Sequence, residues 1–231
     1  SRVDKGSPGR ERTIAQQTRW HLTIDEAFEF LAQNNFDPAV IWDALKHHFI
    51  GNLDEACIMV NADNLNVMSA RAVKRTEKNV DDIRASITIV RTGSAAGSIG
   101  PTVILGKGQK RTKVSPSTTN LLATLASPHS KIIFNDSAYM TNDTWNELAE
   151  DIAKGIRSLE AVRDHPDWWF TLCFDGYASH LQLEAIDVFT KYKILLVKEE
   201  GDSSDTNQAY DRHVAKSDKN EWCLTISRRL D

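Results

Sequence analysis

The order of the apolar runs constrains the fold of this chain more than any other feature of its sequence. Three short runs rich in β-branched residues, at 56–63, 86–93 and 101–108, predict an antiparallel meander, since glycines close the second and third runs. An apolar run at 168–174, a helical segment and another apolar run at 193–198 follow. Three antiparallel strands followed by strand, helix and strand indicate a mixed α/β fold.

This strand order is that of the RNase H-like fold, in which the first and fourth strands are neighbours. The first run ends in Asp63, and the run at 168–174 is followed by Asp175 and Gly176. Asp-Gly is a common turn pair and aspartate caps helices well, so Asp175 alone also has a purely structural explanation. Acids at the ends of two neighbouring strands are better explained by a functional site.

Helical spacing predicts the segments around this sheet. Residues 23–26 have the spacing of a capping box, and Asp37-Pro38 has the signature of a helix start, so two short helices are predicted before residue 51. Apolar residues three or four positions apart predict a helix over 141–159. Further helices are predicted over 179–190 and 207–216.

The change of character near residue 51 suggests two parts. We predict an N-terminal polar tail and helical segment over residues 1–50 and an RNase H-like domain over residues 51–231. The first residue is Ser1, so we expect an excised fragment or a processed chain.

Composition is that of an ordinary globular protein, with 41% hydrophobic and 26% charged residues. No apolar stretch approaches the ~18 residues of a membrane span, and no signal-peptide pattern opens the chain. The formal net charge is −4, which argues against a stand-alone DNA-binding module. It does not exclude a nuclease core, whose site must be acidic to hold metal ions. The three cysteines are scattered, with no CxxC pair, which indicates a reducing compartment.

Other chemistries are disfavoured. The segment 106–110 has glycine where a P-loop needs Ser or Thr after the lysine, and no GxGxxG fingerprint occurs. His47 and His48 adjoin, which puts them on different helix faces, and no HExxH motif accompanies them, so a zinc site is disfavoured. A basic cluster follows the third strand and consists of Lys107, Lys110, Arg111 and Lys113. It fits contact with DNA phosphates, and a solvated basic turn is the alternative.

Five segments, in order and with plausible gaps, carry a resemblance to a known family. They are VNAD (60–63), TIVRTGSAAGSIGPTVILGKG (88–108), FNDSAYMTNDTW (134–145), LCFDGYASHL (172–181) and TNQAYD (206–211). Together they resemble the DDE superfamily endonuclease domain of pogo-like transposases, within the mariner group and related to Jerky and centromere-binding proteins. The resemblance runs from about residue 56 to residue 215.

The resemblance implies metal-dependent hydrolysis and strand transfer of DNA. Asp63, Asp175 and Asp211 would be its catalytic acids and would bind two Mg²⁺ or Mn²⁺ ions. It also implies that His180 lies near the site, where it would orient a carboxylate or contact a phosphate. A helix-face histidine bonded to a backbone carbonyl is the alternative. Gln208, three positions before Asp211, would help to position that acid or would be solvated.

The resemblance further implies DNA as the partner, the nucleus as the compartment and no membrane association, and it allows a homo-oligomer. The family's first acid is commonly followed by Glu, whereas Asn64 follows Asp63 here. Ala209-Tyr210 stands where the family has Pro-Leu before the third acid. An active nuclease is the favoured interpretation. A domesticated, catalytically inactive DNA-associated or protein-interaction domain of the same fold is the alternative.

Overall fold

The computed structural model contains one mixed β-sheet with helices on both faces. It describes residues 8–35, 37, 42–59, 86–108, 127, 129–174 and 182–198. The strands are β1 (Ile50–Met59), β2 (Ser86–Ser94), β3 (Ile99–Lys107), β4 (Lys131–Asn135), β5 (Phe170–Phe174) and β6 (Ile194–Lys198).

The described sheet has the strand order β4-β3-β2-β1-β5-β6. β2 is antiparallel to β1 and to β3, whereas β3–β4, β1–β5 and β5–β6 are parallel pairs. The predicted neighbourhood of the first and fourth strands is confirmed by the β1–β5 pair, and with it the RNase H-like arrangement. The sequence did not predict β4, because this run starts with Lys131, ends with Asn135 and is partly exposed throughout.

The predicted position of the first strand was wrong. The apolar run suggested a strand from residue 56, but β1 begins six residues earlier, at Ile50. Asn52, Asp54 and Glu55 interrupt the apolar pattern there, although Asp54 is buried in the middle of the sheet. Pairing with β2 holds all three polar residues in the strand, and Asn52 is also paired with Cys173 of β5.

The predicted start of the first helix was also wrong. One long helix, α1 (Pro8–Asn34), includes the segment 23–26, which therefore does not cap a helix start. No proline or glycine follows Gly9 within α1, so nothing in its sequence stops the helix before that segment. A short α2 (Trp42–Leu45) and one turn of 3₁₀ helix precede β1. None of the described helices has the length and apolar character needed to cross a bilayer.

The two faces of the sheet are covered by different helices. Ala27 of α1 packs with Ile50, Cys173 and Val197 on one face. The other face carries α3 (Asn142–Arg157), α4 (Glu160–Asp164) and α5 (Leu183–Lys191). The predicted helix over 141–159 is confirmed, and its buried apolar side chains recur at the predicted spacing: Trp145, Leu148, Ile152 and Ile156.

Hydrogen bonds to backbone carbonyls fix the segment that leads into β5. The Arg157 guanidinium donates to the carbonyl oxygens of Trp168, at 2.9 Å, and of His165, at 3.3 Å. Burial lowers the pKa of Arg157 from its usual value, but an arginine remains charged at neutral pH. On the other face, Asn35 donates to the Trp169 carbonyl at 2.8 Å and accepts from the Trp169 N–H at 2.5 Å.

Replacing Asn35 by alanine should lower the free energy of unfolding by about 2–3 kcal/mol. Asn35 is only 1% exposed, so the N–H and carbonyl groups of Trp169 would lose their hydrogen-bond partner at a buried position. Denaturation by urea, followed by circular dichroism, measures this change. Asn34→Ala is the matched control, since Asn34 is exposed and donates to the Phe30 carbonyl of its own helix. Equal losses of unfolding free energy in the two variants would contradict the stabilising role of the Asn35–Trp169 hydrogen bonds.

Candidate active site at the C-terminal edge of the sheet

Five strands end at the same edge of the described sheet. β1, β5 and β6 are mutually parallel, and β3 and β4 run in the same direction because β2 is antiparallel to both of its neighbours. We call the edge at which these five strands end the C-terminal edge. Open α/β sheets bind ligands outside the carboxyl ends of their strands, so this edge is the first place to look for a site.

Asp54 lies in the central strand, beside the end of β5. The β1–β5 pairing ends with Leu53 opposite Phe174, so Asp54 is the first β1 residue beyond that pair. Its side chain is only 6% exposed. One carboxylate oxygen, Oδ1, accepts a hydrogen bond of 2.7 Å from the backbone N–H of Glu55. The acid is therefore held inside the sheet.

The register relates Asp54 to the acid predicted after β5. Asn52 pairs with Cys173 in the parallel β1–β5 pair. Asp54 follows Asn52 by two positions, and Asp175 follows Cys173 by two positions in the sequence. Residues two apart in a strand share a face, so Asp54 lies on the face of Ile50, which is the face covered by α1.

β1 continues for several residues beyond the last described residue of β5. Met59 follows Leu53, the partner of Phe174, by six positions (59 − 53), or about 20 Å of strand. β2, β3 and β4 continue with β1, since Ile87 pairs with Gly106 at the level of Ile58.

Most of the predicted site residues lie outside the described residues, and their roles stay predictions. They are Asp63, Asp175, Asp211, His180, Gln208, Lys110, Arg111 and Lys113. Lys107 is described: it is the last residue of β3, it is exposed, and it lies at the C-terminal edge. It follows Gly106, which lies at the level of Ile58, so the basic cluster begins farther along the sheet than Asp54.

Asp54 was not singled out from the sequence. The first strand was predicted to begin at residue 56, so Asp54 and Glu55 lay outside it. A signal was available, because Asp54 is followed by Glu55, as the first acid of the resembled family commonly is. The departure noted for Asp63, which is followed by Asn64, does not affect Asp54.

The donor chemistry of Asp54 fits a hard divalent cation, for which carboxylate oxygens are the preferred ligands. Glu55 lies on the opposite face of β1, because neighbouring residues of a strand alternate. Among the residues that the structure describes, no group of three or more His, Cys, Asp or Glu side chains could hold a metal ion. The predicted partner acids Asp175 and Asp211 lie outside these residues.

The loop between β4 and α3, also at the C-terminal edge, is ordered by one side chain. Asn135 Oδ1 accepts from the backbone N–H groups of Ser137, at 3.2 Å, and Ala138, at 2.6 Å. Its Nδ2 donates to the Tyr139 carbonyl at 2.8 Å. Ala138 has a left-handed φ of 60°. These bonds fix the backbone of the loop at this edge, where the Tyr139 side chain is exposed.

Solved structures of the Mos1 transposase have the same architecture. The Mos1 paired-end complex with left transposon end matches with a TM-score of 0.53 and 11% identity, over 100% of this chain and 57% of that chain. The Mos1 strand transfer complex matches with a TM-score of 0.51 and 11% identity, over 92% and 48% of the two chains. The chain shares the fold of the Mos1 transposase.

The similarity covers the RNase H-like catalytic domain of that protein, and this chain spans about half of the Mos1 chain. The pre-cleavage Mos1 transpososome gives the same result, with a TM-score of 0.50 and 9% identity over 82% of this chain and 49% of that chain. No family model matches the sequence, and no curated protein does. At these identities the likeness concerns the fold.

Proposed function

We propose that this chain is the catalytic core of a pogo-like, mariner-group DDE/D nuclease that hydrolyses DNA phosphodiester bonds and transfers the cut strand. Its three acids would be Asp54, Asp175 and Asp211. The observation that carries the proposal is the β1–β5 register, in which Asp54 and Asp175 each follow the pair Leu53–Phe174 by one residue. An aspartate that only caps a turn would not be expected at the same register position as a buried acid of the neighbouring strand.

Two divalent ions, Mg²⁺ or Mn²⁺, would activate the attacking hydroxyl and stabilise the charge on the leaving oxygen. The contribution of the protein is to hold oxygen ligands at fixed positions. Asp54 suits this task, since its strand is paired on both sides and the Glu55 N–H holds one carboxylate oxygen. Asp175 and Asp211 would complete the ligand set, with His180 and Gln208 as supporting residues.

DNA is the proposed partner. One of the Mos1 structures is a complex with a transposon end, and the present chain has the same fold. Lys107 begins the basic cluster at the C-terminal edge, where the cluster would contact phosphates of a bound strand. With a net charge of −4, the chain should bind duplex weakly, and its binding should fall steeply as salt rises.

Nicking of supercoiled plasmid in Mn²⁺, run beside a gel shift, tests the proposal. The wild-type chain should convert plasmid to the nicked form in Mn²⁺ but not in EDTA. Asp175→Asn, purified in the same way, should not, which excludes a contaminating nuclease. Duplex binding without nicking would instead support the inactive, domesticated domain, for which Ala209-Tyr210 is the motivating departure. If the chain neither binds nor nicks DNA, a protein-interaction role is the remaining explanation.

A further inference from the structure

Arg91 is a basic residue in the interior of the β1–β3 meander. In these three strands, all of which the structure describes, the other basic residue is Lys107, at the very end of β3. Arg91 is half-buried and lies directly opposite Asp54 in the antiparallel β1–β2 pair. A central strand thus contains a single interior cation, and its partner across the strand pair is the acid of the candidate site.

The register also fixes the face on which these two side chains lie. Residues that are opposite each other in an antiparallel pair share a face, with Cα atoms about 4.5–5.5 Å apart. Arg91 is opposite Thr102 of β3 on its other side. Thr102, Arg91 and Asp54 therefore form a polar row across β3, β2 and β1. The row ends at Asp54, which is next to the end of the described β5.

Burial makes this pairing energetically important. Asp54 is 6% exposed, and a buried carboxylate is costly unless it is hydrogen-bonded and paired with a positive charge. Oδ1 accepts a hydrogen bond from the Glu55 N–H, and a carboxylate has about four acceptor positions in all. An arginine beside the acid can supply two donors in a fixed, planar geometry.

We propose that Arg91 is a positioning residue for Asp54. It orients the carboxylate so that the remaining oxygen lone pairs face the C-terminal edge, where the metal would be bound. The part of this inference that concerns metal rests on the proposed function. The proposed contact between the two side chains does not, because it is argued from the register and burial of two described residues.

Titration calorimetry with Mn²⁺ alone, on the full chain without DNA, separates positioning from a simple charge effect. Arg91→Met keeps the length of the side chain but removes its charge and donors. If Arg91 acted only through its charge, its removal would strengthen Mn²⁺ binding, because like charges repel. If Arg91 positions Asp54, Arg91→Met should weaken Mn²⁺ binding by about tenfold, as loss of a residue that orients a metal ligand commonly does. Arg91→Lys should fall between the two proteins.

A double-mutant cycle in metal-free urea denaturation tests the pairing independently. Arg91→Met and Asp54→Asn should each lower the denaturation midpoint, and the double variant should lose less than the sum of the two shifts. Additive shifts would overturn the proposal, and so would Mn²⁺ binding by Arg91→Met that is equal to wild type or tighter. If the wild type binds no Mn²⁺, the proposed function fails, while the cycle still decides whether Arg91 and Asp54 pair.

Discussion

Replacing Asp54 by asparagine is expected to reduce Mn²⁺-dependent nicking by roughly a thousandfold. Loss of one metal-binding carboxylate removes several kcal/mol of transition-state stabilisation, and about 4 kcal/mol corresponds to that factor. Asparagine keeps the size of the side chain and an oxygen that can accept from the Glu55 N–H, so the fold should survive. Initial nicking rates and a circular dichroism spectrum of the same preparation provide the two measurements.

Asp63→Asn is the matched control, because Asp63 is the acid that the apolar pattern alone indicates. It follows Asp54 by nine positions, and Phe174 ends its described pairing at Leu53, the residue before Asp54. Nicking by Asp63→Asn should therefore remain near the wild-type rate. The reverse result, with loss in Asp63→Asn and activity in Asp54→Asn, would restore Asp63 as the first acid. Full activity in both variants would contradict an acid from this part of the chain.

Gly51→Ala is expected to destabilise the fold by about 3 kcal/mol, the upper end of the usual cost of overpacking. Gly51 is buried in β1 between Ser94 of β2 and Leu172 of β5. A Cβ at this position would lie 2.5 Å from the Gly93 carbonyl oxygen and 2.7 Å from Cζ of Phe170. One contact is with backbone and the other with a buried ring, so neither neighbour yields easily. Urea denaturation measures the loss.

Gly93→Ala is the control on the facing strand. A Cβ at Gly93 would lie 3.4 Å from the Ser98 carbonyl oxygen, which is ordinary van der Waals contact. Its free energy of unfolding should change by less than about 1 kcal/mol. Similar losses in both variants would show that a general cost of replacing glycine explains the effect, rather than the close contacts of a Cβ at Gly51 with β2 and β5.

Local patterns predicted most of the elements, and their failures have physical causes. α3 was found because Trp145, Leu148, Ile152 and Ile156 recur at helical spacing and all are buried. The start of β1 was missed because strand prediction relies on apolar runs, whereas β1 buries Asp54 in its centre. The strand β4 was missed because all of its residues are partly exposed, so it lacks the buried apolar run by which the other strands were predicted.

The candidate site was harder to predict, because it depends on register. Sequence alone indicated that Asp63, at the end of the predicted first strand, would lie beside Asp175, whereas Asp54 lies in the middle of the observed strand. Only the pairing of Leu53 with Phe174 brings Asp54 to the matching position. The pairing of Arg91 with Asp54 is equally invisible in the sequence, since 37 positions separate them (91 − 54). The Asp54-Glu55 dipeptide was the one local signal.

Anomalous diffraction from crystals soaked in Mn²⁺ tests the central claim most directly. The account predicts a Mn²⁺ peak bonded to a carboxylate oxygen of Asp54, at about 2.1 Å, with Asp175 and Asp211 among the other ligands. A second peak is expected about 3.5–4 Å from the first. Mn²⁺ bound to Asp63 and not to Asp54, or no Mn²⁺ at the C-terminal edge at saturating concentration, would contradict the account.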